Sequence, residues 1–245
     1  MIIPKKKGKK SVKRKVVSKK TAKKSVSEKK TVKNPSKVII DKMDDIKAYD
    51  MFKKSRFSIA PYAFVKRESD IKIALRKTGF PCVMKVVSKQ IIHKTESNGV
   101  IMNISSPEEA LEAFTKIMKI KNAENVLIQK QINGKELIVG AKSDPSFGHI
   151  ISVGIGGIYV EILKDVSFRV APIDKAEAEL MLQELKGFDI LNGARGEQPI
   201  NLKNVYETLV KLSNLVSNKK LKEVDINPLI CNEKGCWITD IRVVK

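Results

Sequence analysis

The sequence predicts an α+β protein built as two lobes. Three observations predict it. The first half alternates stretches of helical apolar spacing with short apolar runs. The second half gathers most of the short apolar runs, split by turns bearing Gly and Asn, before two further helical stretches. No regular βαβ repeat and no internal repeat runs through the chain. The 245 residues, 42% hydrophobic and 31% charged, suffice for one large domain or two small ones.

Residues 1–37 stand apart. They hold 16 Lys or Arg against one acid, Glu28, and no aromatic residue, so most of the net charge of +21 belongs to this tail. Such a segment buries too little apolar surface to offset its ordering entropy, and we expect it to be disordered. It reads either as a nonspecific contact to polyanions or as a solvated extension.

From residue 38 the pattern becomes globular. Residues 41–54 read as a helix and 57–66 as extended, around Ala60-Pro61. Ile71, Ala74 and Leu75 give helical spacing over 68–77, and Gly79-Phe80-Pro81 ends that helix. The run 82–87 reads as a strand, 88–99 as a polar loop, and 100–104 as a second strand. Pro107 opens a helix with Ala110, Leu111, Phe114, Ile117 and Met118 on one face. Residues 126–132 and 136–142 read as neighbouring strands joined by a turn at Asn133-Gly134. Strands follow at 149–154 and 158–163, split by Gly156-Gly157, and at 168–171. Helices near 174–186 and 201–216 precede closing strands near 223–230 and 237–242.

Several function classes are excluded early. No run approaches the roughly 18 apolar residues of a membrane span, and no apolar stretch of the signal-peptide kind follows the basic start. The three cysteines, Cys82, Cys231 and Cys236, contain no C-x-x-C pair, which argues against a disulfide framework or a zinc site and for a reducing cytoplasm. No aromatic-basic platform for base stacking is evident.

The candidate chemistry lies in five places. Lys85 sits mid-strand among apolar neighbours. A buried ammonium there needs an anionic partner such as a nucleotide phosphate, unless it snorkels from an edge. The loop after it carries His93, Lys94 and Thr95 and ends in Asn98-Gly99, residues that tolerate positive φ. Its backbone can form an anion nest, and His93 reads as a phosphoryl nucleophile or as a surface group. Gly154, Gly156 and Gly157, with Glu161 close behind, suit close approach of a ligand or simply a tight hairpin. Arg169, after Lys164-Asp165-Val166-Ser167-Phe168, and Arg195, held between glycines, read as phosphate clamps or as ordinary turn residues. Finally, alternation puts Glu223, Asp225 and Asn227 on one strand face, and a paired antiparallel strand carrying Asp240 completes an all-oxygen set suited to Mg²⁺.

Together these segments resemble the beta subunit of ADP-forming acetyl-CoA synthetase, itself similar to the ATP-grasp part of succinyl-CoA synthetase. The resemblance covers residues 42–245. It rests on Gly79-Phe80-Pro81 through Lys85-Val86-Val87-Ser88, His93-Lys94-Thr95 through Gly99-Val100, Gly154 through Glu161, residues 164–173, Gly193 to Gly196, and residues 223–229. It implies an ATP-grasp fold over 38–245, with a smaller lobe at about 57–130 and a larger lobe at about 131–245 that includes the 38–56 helix. ATP or ADP would lie in the cleft between them, near the link at 129–132. The implied reaction is acyl-CoA + ADP + phosphate ⇌ organic acid + ATP + CoA.

The resemblance also assigns roles. His93 and Arg169 are catalytic, with His93 a phosphoryl carrier. Lys85, Lys94, Thr95, Gly99, Gln129, Lys130, Ile132, Glu136, Gly156, Gly157 and Arg195 hold the nucleotide. Asn227, Asp240 and Asp225 hold Mg²⁺, with Glu161 as a helper. A separate CoA-binding alpha subunit is implied, in an alpha2beta2 assembly. Two positions depart from the usual pattern: Asn98-Gly99 stands where the family has Gly-Gly, and Lys130 stands where an acid is common. The alternatives are a succinyl-CoA-synthetase-like or other ATP-grasp ligase subunit, or a nucleic-acid-binding protein acting through its tail.

Overall fold

A computed structural model describes residues 41–91, 94–157, 165–219 and 221–245. The tail 1–37 and the strand expected at 158–163 lie outside the described residues.

Helix α1 (Asp45–Lys54) begins where the Asp44 carboxylate accepts from the N–H groups of Ile46 and Lys47. Ala48, Tyr49 and Phe52, spaced four and three apart on this helix, are buried. Strand β1 (Tyr62–Val65) then leads through a 3-10 turn into α2 (Ile71–Thr78), which stops at Gly79 with φ of 66°. Strands β2 (Cys82–Val87) and β3 (Val100–Ile104) follow. Helix α3 (Pro107–Met118) starts at Ser106, whose hydroxyl accepts from the Glu109 N–H, and Pro107 fills the first turn. Strand β4 (Asn125–Lys130) completes an antiparallel sheet of order β1-β4-β2-β3. Ala74, Leu75, Ala110, Phe114 and Ile117 cover it in a core of their own with Met84, Val86 and Ile128.

The second sheet comprises β5 (Lys135–Asp144), β6 (Gly148–Ile155), β7 (Val166–Val170), β8 (Glu223–Asn232), β9 (Gly235–Ile238) and β10 (Ile241–Val244). Its order is β10-β8-β5-β6-β7, with β9 also on β8. Helices α4 (Lys175–Gln183), α5 (Phe188–Leu191) and α6 (Leu202–Asn218) lie between β7 and β8 in the chain. Residues of α4 and α6, with Tyr49 and Phe52 of α1, share one core with the apolar face of this sheet, where Leu137, Val139, Val224 and Ile226 are fully buried. Each such side chain contributes roughly 1.5–3 kcal/mol.

Two expectations are corrected. Strands β4 and β5 are not a hairpin: they belong to different sheets, and 131–134 is the passage between lobes. Their apolar faces serve separate cores, which the spacing of a short turn cannot reveal. The single strand expected over 237–242 is two strands, broken at Thr239-Asp240. Pro228 has no N–H to donate, and its carbonyl accepts instead from the N–H and hydroxyl of Thr239 at 3.2 and 2.9 Å. Strand β8 therefore changes partner there, pairing β10 over 223–226 and β9 over 229–232.

Candidate functional site

The break in the ladder opens onto a cleft of about 530 Å³ lined from both sheets. The four-stranded sheet supplies Lys85 from β2 and Gln129 from β4, and the loop after β2 supplies Lys94, Thr95 and Glu96. Lys130 comes from the end of β4, and the link supplies Gln131 and Ile132. The other sheet supplies Glu136, Asp225, Asn227, Asp240 and Arg242, and Lys42 approaches from the segment before α1.

Lys85 is buried on an interior strand, so it does not snorkel from an edge. Its Nζ donates to Gln129 Oε1 at 3.1 Å and to the Thr239 carbonyl at 2.7 Å, tying one sheet to the other. Burial pushes its pKa down to about 8; Asp240 opposes that fall and Lys94 adds to it. The Thr239 carbonyl also accepts from the Tyr49 hydroxyl at 3.0 Å. That phenol is fully buried, and burial first, then Asp240 and Asp45, raise its pKa.

Lys94 places its Nζ 2.6 Å from Asp240 Oδ1 and 3.7 Å from Asp45 Oδ2. Burial alone would lower its pKa, but the two carboxylates hold it above the usual lysine range. Asp240 is held below the ordinary carboxylate range: burial works against this, and Lys94 and Lys85 outweigh it. Asp225 shows the reverse balance, raised by burial despite Arg242. The result is a lysine-rich cleft in which carboxylates already hold part of the positive charge, suited to phosphate groups.

The residues present fit an Mg²⁺ ion of the nucleotide-bound kind. Among the described residues no three His, Cys, Asp or Glu side chains gather as a complete metal site. Asn227 and Asp240 nevertheless both line the cleft, giving two hard oxygen ligands, with Asp225 beside them. A cation that keeps waters and takes its remaining ligands from phosphates needs no more from the protein.

Lys85, Lys94, Thr95, Gln129, Lys130, Ile132, Glu136, Asp225, Asn227 and Asp240 thus meet in one cleft. The Lys130 ammonium is turned onto the Phe80 carbonyl. Other predicted residues do not join them. Arg169 is a correction: its guanidinium is held by Glu177 and Glu184, and it does not line the cleft. Two facing acids on and just after α4 meet the hydrogen-bonding capacity that a phosphate clamp would need. Gly99 is not among the residues lining the cleft: an added Cβ there would collide with Val86 Cγ1, and the positive φ falls on Asn98 at 52° instead. Gly156 is likewise not among the lining residues; it donates its N–H to the Glu136 carbonyl at 2.6 Å, and a Cβ there would meet the Glu136 backbone. Gly157, with φ of 73°, lies beside the Glu136 carboxylate but outside the cleft lining. His93 and Glu161 lie outside the described residues, as does the side chain of Arg195, whose backbone forms a 3-10 turn.

The sequence reading missed Lys42, Asp45, Tyr49, Thr239 and Arg242. Asp45 and Tyr49 look like an ordinary first-turn acid and a core aromatic of α1, and nothing local marks them otherwise.

The ATP-grasp domain family matches residues 40–244. The chain belongs to the ATP-grasp family. Within it, the chain is 41% identical over 208 residues to the beta subunit of ADP-forming acetate–CoA ligase I from Pyrococcus furiosus, covering 80% of this chain and 89% of that subunit. It is 40% identical over 222 residues to the ADP-forming 4-hydroxybutyrate–CoA ligase of Nitrosopumilus maritimus, covering 86% of this chain but only 31% of that longer protein. Among solved ATP-grasp relatives, acetyl-coenzyme A synthetase 1 of Ca. Korarchaeum cryptofilum, bound to coenzyme A and Ca-AMPCP, superposes with a TM-score of 0.79 at 32% identity, covering 83% of this chain and 93% of that one.

Proposed function

We propose that this chain is the nucleotide-binding subunit of an ADP-forming acyl-CoA ligase and moves a phosphoryl group between a phosphohistidine and ADP. The observation that carries the reading is the convergence of Lys85 and Lys94 with Asn227 and Asp240 in one interlobe cleft. An Mg²⁺ ion held there would supply charge to offset that of the phosphates. Asn227 and Asp240 would hold it, with Asp225 beside them. Lys85, fixed by two hydrogen bonds, presents its ammonium to the phosphates. In ATP formation the N–P bond of the phosphohistidine breaks, a β-phosphate oxygen of ADP bonds to that phosphorus, and the imidazole leaves free. His93, on the loop that also carries Lys94 and Thr95, is the proposed carrier of this group. A related structure, 32% identical, contains Mg-AMPPCP and a phosphohistidine segment pointing towards its nucleotide-binding site, which supports transfer between a histidine and the nucleotide.

The CoA and acyl chemistry is proposed to come from a separate CoA-binding alpha subunit, in an alpha2beta2 assembly. Relatives named for acetate and 4-hydroxybutyrate share this region, which supports acid selection elsewhere. The isolated chain is expected to bind Mg-ADP in calorimetry yet to make no acyl-CoA; an absence of Mg-ADP binding sinks the reading. With the partner present, His93→Ala should abolish net ATP formation and leave Mg-ADP affinity near normal. Substantial ATP formation by that variant would remove the carrier role.

A further inference from the structure

The ammonium of Lys94 stands on the carboxylate that the metal needs. It lies 2.6 Å from Asp240 Oδ1. An Mg²⁺ bound through that carboxylate, about 2.1 Å from an oxygen, would face the Lys94 charge at close range with little solvent between, since the Lys94 side chain is 8% exposed. Asp240 Oδ1 already accepts from Lys94 and from the Ile241 N–H, so the metal would take Oδ2 and would weaken the carboxylate's hold on the lysine without excluding it. A second acceptor for that ammonium is already in place. Asp45 Oδ2 lies 3.7 Å from the same ammonium, on a side chain only 2% exposed. The Asp45 carboxylate is ion-paired to both lysines, with Lys42 Nζ 2.9 Å from Oδ1 and Lys94 Nζ facing Oδ2 from beyond hydrogen-bond distance. Oδ2 therefore has acceptor capacity left for the Lys94 ammonium when its hold on Asp240 weakens.

We propose that Lys94 acts as a resident counter-cation of the metal site and that Asp45, on α1, is the positioning residue that receives its ammonium when the metal arrives. This rests on the Mg-nucleotide reading of the cleft. Shortening the Lys94–Asp45 separation from 3.7 Å to hydrogen-bond distance requires a shift of only about 1 Å. The ammonium remains in the cleft, where Lys42 and Lys94 share Asp45 and where phosphate oxygens can meet it. Two consequences follow. Metal alone competes with Lys94 for Asp240 and binds weakly, so metal loads together with the nucleotide, whose phosphates supply the added negative charge. The strength of that coupling depends on Asp45, a residue that itself touches neither ligand.

The test uses the full chain, Mn²⁺ and ADP, with Mn²⁺ binding read by electron paramagnetic resonance and ADP binding by calorimetry. Wild type should bind Mn²⁺ weakly without ADP, and Lys94→Met should tighten Mn²⁺ binding without ADP by about tenfold or more. Asp45→Asn keeps the side-chain shape and removes the receiving charge. It should cut the Mn²⁺ enhancement of ADP affinity by about tenfold while leaving metal-free ADP affinity within about twofold. In a Lys94→Met background the Asp45→Asn substitution should have no further effect on the metal response. Unchanged Mn²⁺ binding in Lys94→Met overturns the proposal, whatever the stability of Asp45→Asn. So does an equal loss of ADP affinity with and without metal in Asp45→Asn, because a purely structural role predicts that loss. Wild type that binds no Mn-ADP at all overturns the functional reading itself, and the proposal with it.

Discussion

The buried Lys85 makes a measurable pH dependence of stability. Its pKa is about 8 in the fold against 10.5 for an ordinary lysine. The unfolded chain therefore binds more protons than the folded chain between those two values. Stability rises with pH wherever that is so, so this lysine opposes folding below about pH 8 and the opposition fades as pH rises towards 10.5. With these two values, Lys85 alone makes the fold about 2 kcal/mol more stable at about pH 9.5 than at about pH 7. Other lysines titrate in the same region, so the quantity to measure is a difference. Urea denaturation of wild type and Lys85→Met across this range should show wild type gaining about 2 kcal/mol relative to the variant. Saturating Mg-ADP should shrink the gain, because phosphate contacts keep the ammonium protonated. A difference between the two proteins that stays flat with pH would refute the reasoning, and with it the claim that burial controls this lysine.

The remaining predictions concern the metal, two residues outside the cleft lining and the tail. Asn227→Ala and Asp240→Asn should each weaken Mg-ADP binding by roughly tenfold to a hundredfold in calorimetry; Asp240→Ala is a poorer test, since it also removes the oxygen that accepts from Lys94 and from the Ile241 N–H. Arg169→Met should leave Mg-ADP affinity within about twofold and cost less than about 1 kcal/mol on urea melts, because its partners are partly exposed acids. Gly99→Ala should destabilise by about 1–3 kcal/mol, because Val86 and the Lys94 carbonyl occupy the space. Removing residues 1–37 should leave Mg-ADP affinity unchanged and reduce salt-sensitive retention on a polyanion column, since the family match begins at residue 40.

How much of this was legible in the sequence depends on how local the cause is. Helix α3 was readable because its signals are local: Pro107 at its start and a single apolar stripe from Ala110 to Met118. Strand β2 was readable as a short apolar run, and the lysine in its middle was conspicuous because a charge breaks that pattern. The oxygen face of β8 was readable because period-two alternation separates Asp225 and Asn227 from Val224 and Ile226. Arg169 was misplaced for the opposite reason. Its sequence neighbours suggest an anion site, but the groups that hold it come from Glu177 and Glu184, on and just after a helix that packs back on the strand.

The sequence by itself determined the elements, their faces and the residue types able to meet a Mg-nucleotide, since periodicity, caps and isolated charges act over a few residues. The tertiary structure alone decided which of those groups share a cleft. Residues 131–134 cross between two sheets instead of turning back, and the ladder of β8 changes partner at Pro228. These two facts bring Lys85 to the Thr239 carbonyl, 154 residues away in sequence. They also carry Asp45 from the first described helix to the charge of Lys94. Burial fixes the energies of such groups, and burial is created only when both sheets close over the same space.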